Sequence, residues 1–153
     1  MKIRTTSKII EEYINLYNLS DILDNNLIPA LQLFTFTPGE YIVRAGEFPT
    51  HLYFYVKGKS KVFQLLDNGK SLLCRFYHPF EIVGDVEIFS GKPNVCNLQA
   101  LTDVICMGIP IKQIEQAAES NPRLLKLLCQ SLGEKLASFN MISAVNQNYP
   151  LEN

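Results

Sequence analysis

The hydrophobic positions near the start of the chain recur at helical spacing. Between residues 7 and 32 this period is carried by Ile9, Ile10, Tyr13, Ile14 and Tyr17. The pair Ser20-Asp21 predicts the N-terminal cap of a second, shorter helix. Helices this short are marginal in water without a packing partner. Residues 1–32 are therefore expected to form an N-terminal helical cover over another part of the protein.

From residue 33 to residue 110 the pattern changes to short apolar or alternating runs, separated by turn signals at intervals of about 8–12 residues. The clearest hairpin is centred on Asp67-Asn68-Gly69, where Asn and Gly tolerate the positive φ of a tight turn. In Leu52–Lys57 both alternating faces are largely apolar, which is typical of a strand covered on both sides. These features predict a fold that is mainly β with flanking helices, a barrel or double-sheet roll.

Residues 111–148 return to helical spacing. Pro110 precedes a short segment, and Asn121-Pro122 signals the start of a helix that continues to about Gln147, a rod of roughly 38 Å. Its apolar stripe includes Leu125, Leu128, Leu132, Leu136, Phe139 and Ile142. Because the stripe is too wide for one contact surface, one side is predicted to cover the roll and the other to pair with a second copy, giving a homodimer. A helix buried wholly inside one protomer is the alternative.

Composition narrows the class of protein. The chain has 153 residues, 47% hydrophobic, and a formal net charge of −1. This suits one domain with a real core and argues against strong nucleic-acid binding by this segment alone. No apolar stretch is long enough to cross a membrane, and Glu11, Glu12 and Asn15 interrupt the N-terminal apolar run, which excludes a secretory signal. A cytoplasmic location is expected.

The cysteines and histidines show no metal or catalytic spacing. Cys74, Cys96, Cys106 and Cys129 are far apart, and His51 and His78 form no paired motif, so neither an iron–sulfur, haem or metal site nor an enzyme is expected. A thiol switch at Cys74, Cys96 or Cys106 and haem ligation by His78 remain alternatives.

A series of glycine-punctuated segments carries a family resemblance. They are Phe36–Ile42, Ala45–Glu47, Leu52–Gly58, Asp67–Lys70, Ile82–Phe89, Ala100 and Ile109-Pro110. In this order, and followed by a long helix, they resemble the sensory domain of the Crp/Fnr superfamily of bacterial transcription regulators. The resemblance implies a double-stranded β-helix or jelly roll of the cyclic-nucleotide-binding type, followed by a long dimerisation helix. Residues 149–153 look like the start of the hinge to the family's helix-turn-helix domain, which this chain lacks.

The same resemblance implies where a ligand would bind. In the nucleotide-binding members a Gly-Glu pair opens a short helix, the Glu binds the ribose hydroxyl, and a later Arg neutralises the phosphate. Here Gly84 and Asp85 stand at the pair, and the Arg position falls on Asn94, or on a neighbouring residue if the short loop at 90–93 is aligned differently. The implied pocket comprises Gly84, Asp85, Val86, Glu87, Lys92, Asn94 and Val95. Either the pocket no longer takes a cyclic nucleotide, or Lys92 or main-chain N–H groups replace the arginine.

The function expected from the resemblance is the sensing of an effector and dimerisation, within a regulator that binds DNA only as a longer chain. We expect the domain not to bind cyclic nucleotide in the family's usual way, and the chemical identity of the effector stays open. The alternative is a stand-alone ligand-binding module of the cyclic-nucleotide type without a DNA-binding function.

Overall fold

A computed structural model describes residues 1–4 and 7–148, and for residue 7 and residues 139–148 it describes the backbone alone. The strands are β1 (Lys2–Arg4), β2 (Gln32–Phe36), β3 (Tyr41–Val43), β4 (His51–Lys57), β5 (Ser60–Leu65), β6 (Ser71–Tyr77), β7 (Glu81–Val83), β8 (Asn97–Ala100) and β9 (Val104–Pro110). The helices are α1 (Ser7–Leu16), α2 (Asp85–Ser90), α3 (Ile111–Ala118) and α4 (Pro122–Asn148). The predicted hinge at 149–153 lies outside the described residues.

The strands form two antiparallel sheets, which confirms the predicted jelly roll. One sheet has the order β1-β2-β9-β4-β7 and the other the order β3-β8-β5-β6. Non-sequential neighbours such as β2 and β9 arise because the chain passes between the sheets, as in double-sheet rolls. The helices α1, α3 and α4 pack on the outer face of the five-stranded sheet.

Strand β4 shows why its sequence is apolar on both faces. Leu52, Phe54 and Val56 belong to the cluster shared with the helices, whereas Tyr53 and Tyr55 point into the space between the two sheets. Five successive residues of this strand are buried. The alternation therefore predicted a strand covered on both sides, and the structure confirms it.

The N-terminal segment differs from its prediction as a purely helical cover. Helix α1 is present, but Lys2–Arg4 pair with β2 as a strand, and Ile28–Ala30 form only a short 3₁₀ helix. The carboxylate of Asp24 accepts hydrogen bonds from the backbone N–H groups of Asn26 and Leu27 at 2.9 and 3.1 Å. Because this side chain holds the backbone N–H groups in a turn, the predicted second helix does not form.

Helix α4 starts as predicted and runs for 27 residues. The side chain of Asn121 accepts a 3.0 Å hydrogen bond from the backbone N–H of Leu124, which caps the helix. Leu124 and Leu128 are fully buried in the core of the protomer. Leu128 therefore lies on the side of the predicted apolar stripe that covers the roll and is not available to a second copy.

The other predicted dimer residues lie on a second stripe of α4. Leu125 and Leu136 are 38% and 60% exposed, and Leu132 is half-buried. The side chains of Phe139 and Ile142 lie outside the described part of the chain. Among the described residues, no helix is both long enough and apolar enough to span a bilayer.

Candidate functional site

A cavity of about 230 Å³ lies between the four-stranded sheet, the start of α2 and the middle of α4. Half of its lining residues are aliphatic or aromatic, and its only charged lining residues in the described part of the chain are Asp85, Glu87 and Lys135. The lining residues are Val43, Val62, Tyr77, Val83, Gly84, Asp85, Val86, Glu87, Asn94, Val95, Cys96, Asn97, Leu98 and Lys135. Within the implied ligand pocket, Lys92 alone is not part of this wall and is exposed.

Gly84 is the residue before α2, and its backbone conformation sets the direction in which this helix starts at the cavity wall. Its φ is +102°, in the left-handed region that residues with a side chain rarely adopt. A Cβ at this position would lie 3.1 Å from the carbonyl oxygen of His51 on β4. A glycine is therefore needed for the close approach that brings Asp85, the first residue of α2, into the interior.

Asp85 is fully buried, and two side chains of helix α4 donate hydrogen bonds to its carboxylate. The hydroxyl of Ser131 donates to Oδ2 at 2.6 Å, and the ammonium of Lys135 donates to Oδ1. The backbone N–H of Val86 also donates to Oδ1, at 3.0 Å. Lys135 makes a further hydrogen bond to the carbonyl of Ile82 at 2.6 Å. The carboxylate that resembles a ribose ligand is thus already bound from within the chain.

Glu87 is the remaining charge on the wall. It is half-buried, and it forms no ion pair among the described residues. Burial raises the pKa of its carboxyl group, and the nearby Asp85 carboxylate raises it further, while Lys135 opposes the shift. The cavity therefore contains one carboxylate that is not neutralised.

Two asparagines on the wall support the backbone of the turn after β3. The amide nitrogen of Asn94 donates to the carbonyl of Glu47 at 2.6 Å, and Oδ1 of Asn97 accepts from the backbone N–H of Ala45 at 2.9 Å. Asn94 is buried at the position where the resemblance implies an arginine. One of the two hydrogens on its amide nitrogen is therefore already used, and its place carries no positive charge.

A second cation near the cavity is also paired. Arg75 on β6 forms an ion pair with Glu81, and its guanidinium stacks 4.5 Å from the ring centre of Tyr77. Burial raises the pKa of the Glu81 carboxyl group, and the Arg75 charge opposes that shift. No group of three or more metal-binding side chains occurs in the described part of the chain.

Ser131 and Lys135 were not among the residues predicted from the sequence to form the site. They lie four residues apart, so they share one face of α4 and point toward the same place. They continue the stripe that Leu124 and Leu128 begin, at spacings of three and four. This spacing could have identified them, because it places two polar residues on the same helix face as the leucines that pack against the roll.

Comparisons with known proteins agree with this architecture. Residues 33–121 match the family described as the cyclic nucleotide-binding domain, a range that includes the roll from β2 onward and α3. The regulatory protein YeiL of Escherichia coli O157:H7 is 28% identical over 123 residues, which are 80% of this chain and 56% of YeiL. The chain spans about half the length of the curated relatives it matches.

Two solved structures show the same fold. The sensor domain of the transcriptional regulator DNR from Pseudomonas aeruginosa matches with a TM-score of 0.66 at 17% identity, covering 95% of this chain and 97% of that domain. The regulatory subunit of a cAMP-independent protein kinase A from Trypanosoma brucei matches with a TM-score of 0.66 at 25% identity, covering 81% of this chain and 47% of that one. The chain therefore belongs to the cyclic nucleotide-binding domain family, and regulators of the Crp/Fnr type are among its relatives.

Proposed function

We propose that this chain is the effector-sensing and dimerisation domain of a Crp/Fnr-type transcription regulator, and that it does not bind cyclic nucleotide in the usual way. The roll at 33–110 would hold the effector, and the segment 111–148 would carry the dimer contact and pass the signal to a DNA-binding domain in a longer chain. A cytoplasmic location follows from this role, because the regulator acts where the DNA is.

The occupied carboxylate of Asp85 carries the proposal on ligand choice. A cyclic nucleotide needs a hydrogen-bond acceptor for its ribose and a cation for its phosphate. The acceptor, the Asp85 carboxylate, is already bound by Ser131 and Lys135, and the position of the cation holds the neutral Asn94. A hydrogen bond to a charged group contributes about 1.5–3 kcal/mol, so losing one weakens binding at least tenfold. Among the structural neighbours is the regulatory subunit of a protein kinase A that is described as cAMP-independent.

Titration calorimetry with cyclic AMP and cyclic GMP tests this part of the proposal. We expect no saturable binding with a Kd tighter than about 10 µM. A cyclic-AMP-binding regulator in the same buffer confirms that the nucleotide is active. A tighter Kd for either nucleotide would contradict the proposal.

The exposed stripe of α4 supports the dimer. Leu136 is an apolar side chain 60% exposed on a helix whose neighbouring stripe, at Leu124 and Leu128, is already packed. Sedimentation velocity should show a dimer at micromolar concentration, and Leu136→Glu should dissociate it because a charge is costly inside an apolar interface. Leu16→Glu on α1, at a position 64% exposed, is the matched control that should remain dimeric. A wild-type monomer would contradict this part of the proposal.

A further inference from the structure

The cavity is lined by three charges, and two of them cancel. The ammonium of Lys135 is held by Asp85 and by the carbonyl of Ile82, so this pair offers neither charge to a ligand. Glu87 faces the same cavity without an ion-pair partner among the described residues. An incoming anion would therefore meet a net negative wall, whereas an incoming cation would find one carboxylate to pair with.

The rest of the wall suits a compact apolar group. Val43, Val62, Val83 and Leu98 come from four different strands, and the ring of Tyr77 completes this part of the wall. Apolar surfaces of this kind favour a hydrocarbon body by removing it from water. A volume of about 230 Å³ has room for a single ring or a short branched chain.

We propose, resting on the effector-sensing role above, that the cavity binds a small organic ammonium compound. Its protonated amine pairs with the carboxylate of Glu87, and its apolar body packs against the valines and Tyr77. Asn94 also adds no positive charge to the wall, and one hydrogen of its amide nitrogen already binds the Glu47 carbonyl. Burial raises the pKa of the Glu87 carboxyl group, and an ammonium bound beside it would oppose that shift, as Lys135 already does.

Three probes with the same ring and different head groups test the class of ligand: 2-phenylethylamine, 2-phenylethanol and phenylacetate. Calorimetry on the wild-type chain should give a Kd for the amine at least roughly tenfold lower than for the alcohol, and no binding of the carboxylate. Isopentylamine and isopentanol repeat the comparison with a smaller body. This comparison needs no variant, so it does not depend on how a substitution affects folding.

Glu87→Gln tests the site itself. It keeps the shape of the side chain and removes its charge, so amine affinity should fall roughly tenfold while the alcohol is unaffected. Glu115→Gln, at an exposed position on α3 away from the cavity wall, is the matched control and should leave amine affinity unchanged. Tighter binding of phenylacetate than of the amine, no binding of either amine, or amine binding that Glu87→Gln leaves intact would each overturn the proposal.

The failure of this inference can be told apart from the failure of the proposed function. If the chain sediments as a dimer and binds phenylacetate instead of an amine, the sensing and dimer role stands and the ammonium class falls. If the chain is a monomer and binds none of the probes, both fall.

Discussion

The hydroxyl of Ser131 on α4 donates a 2.6 Å hydrogen bond to Oδ2 of Asp85 on α2. This contact joins the long helix to the wall of the cavity across 46 residues of sequence. On the N-terminal side of Ser131, α4 is held by the buried Leu124 and Leu128, and four residues further on Lys135 holds it through Asp85 and the carbonyl of Ile82. The position of α4 and the state of the cavity therefore depend on the same group, and a ligand that competes for Asp85 would also act on the helix.

The first prediction concerns the charge balance at Asp85. Lys135→Met removes the ammonium and leaves a fully buried carboxylate without its cation. We expect the free energy of unfolding to fall by about 3 kcal/mol, because an unpaired buried charge is strongly destabilising. Urea denaturation measures the change.

Two further variants test the cause of that loss. Adding Asp85→Asn to Lys135→Met removes the unpaired charge, so the double variant should be more stable than Lys135→Met alone. Lys112→Met at an exposed position of α3 should stay within about 0.5 kcal/mol of wild type. A Lys135→Met protein as stable as the Lys112→Met protein would show that the pair contributes nothing.

The second prediction separates the two stripes of α4. Leu128→Ala opens a cavity in the core and should lower the free energy of unfolding by about 2–5 kcal/mol without preventing association. Leu136→Ala removes an exposed side chain, so it should weaken the dimer while the fold of each protomer stays intact. Urea denaturation and sedimentation of both variants check the assignment. A Leu128→Ala protein that keeps its stability but no longer associates would contradict the assignment and place Leu128 in the dimer interface.

The third prediction is a dependence of stability on pH that arises at Glu87. Burial raises its folded-state pKa above the ordinary value of 4.5, with Asp85 adding to the shift and Lys135 opposing it. Above pH 4.5 the folded state therefore binds more protons than the unfolded state, and stability is lost as the pH rises through the folded-state pKa. Glu87→Gln removes this loss, so its stability relative to wild type should increase from pH 4 to pH 7, as measured by urea denaturation at about four pH values. A constant difference between the two proteins would contradict the prediction.

Local signals explain which parts of the fold could be predicted. The alternation in β4 and the Asp67-Asn68-Gly69 turn depend on neighbouring residues, and both appear in the structure. The strand Lys2–Arg4 has no such signal, since its three residues are exposed and it forms only because the edge of β2 offers backbone partners. The predicted second helix does not form, and the side chain of Asp24 instead holds a turn, a competition that hydrophobic spacing does not report.

The site was harder to predict because its contacts are remote in sequence. Gly84, Asp85 and Asn94 could be located by resemblance, but the partners of Asp85 could not. On a helix rich in leucine, polar residues such as Ser131 and Lys135 are typical of a face exposed to solvent. The apolar stripe is so wide that its position does not show which side of α4 faces the roll. Only the packing of Leu124 and Leu128 shows which side of α4 faces the roll.

The last prediction concerns Gly133, which lies between Ser131 and Lys135 on α4. A Cβ at this position would have no described atom within 4 Å, so the packing of the protomer does not require glycine. Gly133→Ala should raise the free energy of unfolding by about 1 kcal/mol, because alanine loses less backbone freedom in a helix. Gly58→Ala is the contrasting variant: its φ is +105° and its Cβ would lie 2.3 Å from the carbonyl oxygen of Asp103, so we expect a loss of about 2 kcal/mol or more. A Gly133→Ala protein that is less stable than wild type, and increasingly so at concentrations where copies associate, would contradict the prediction and assign Gly133 to the contact between two copies of α4.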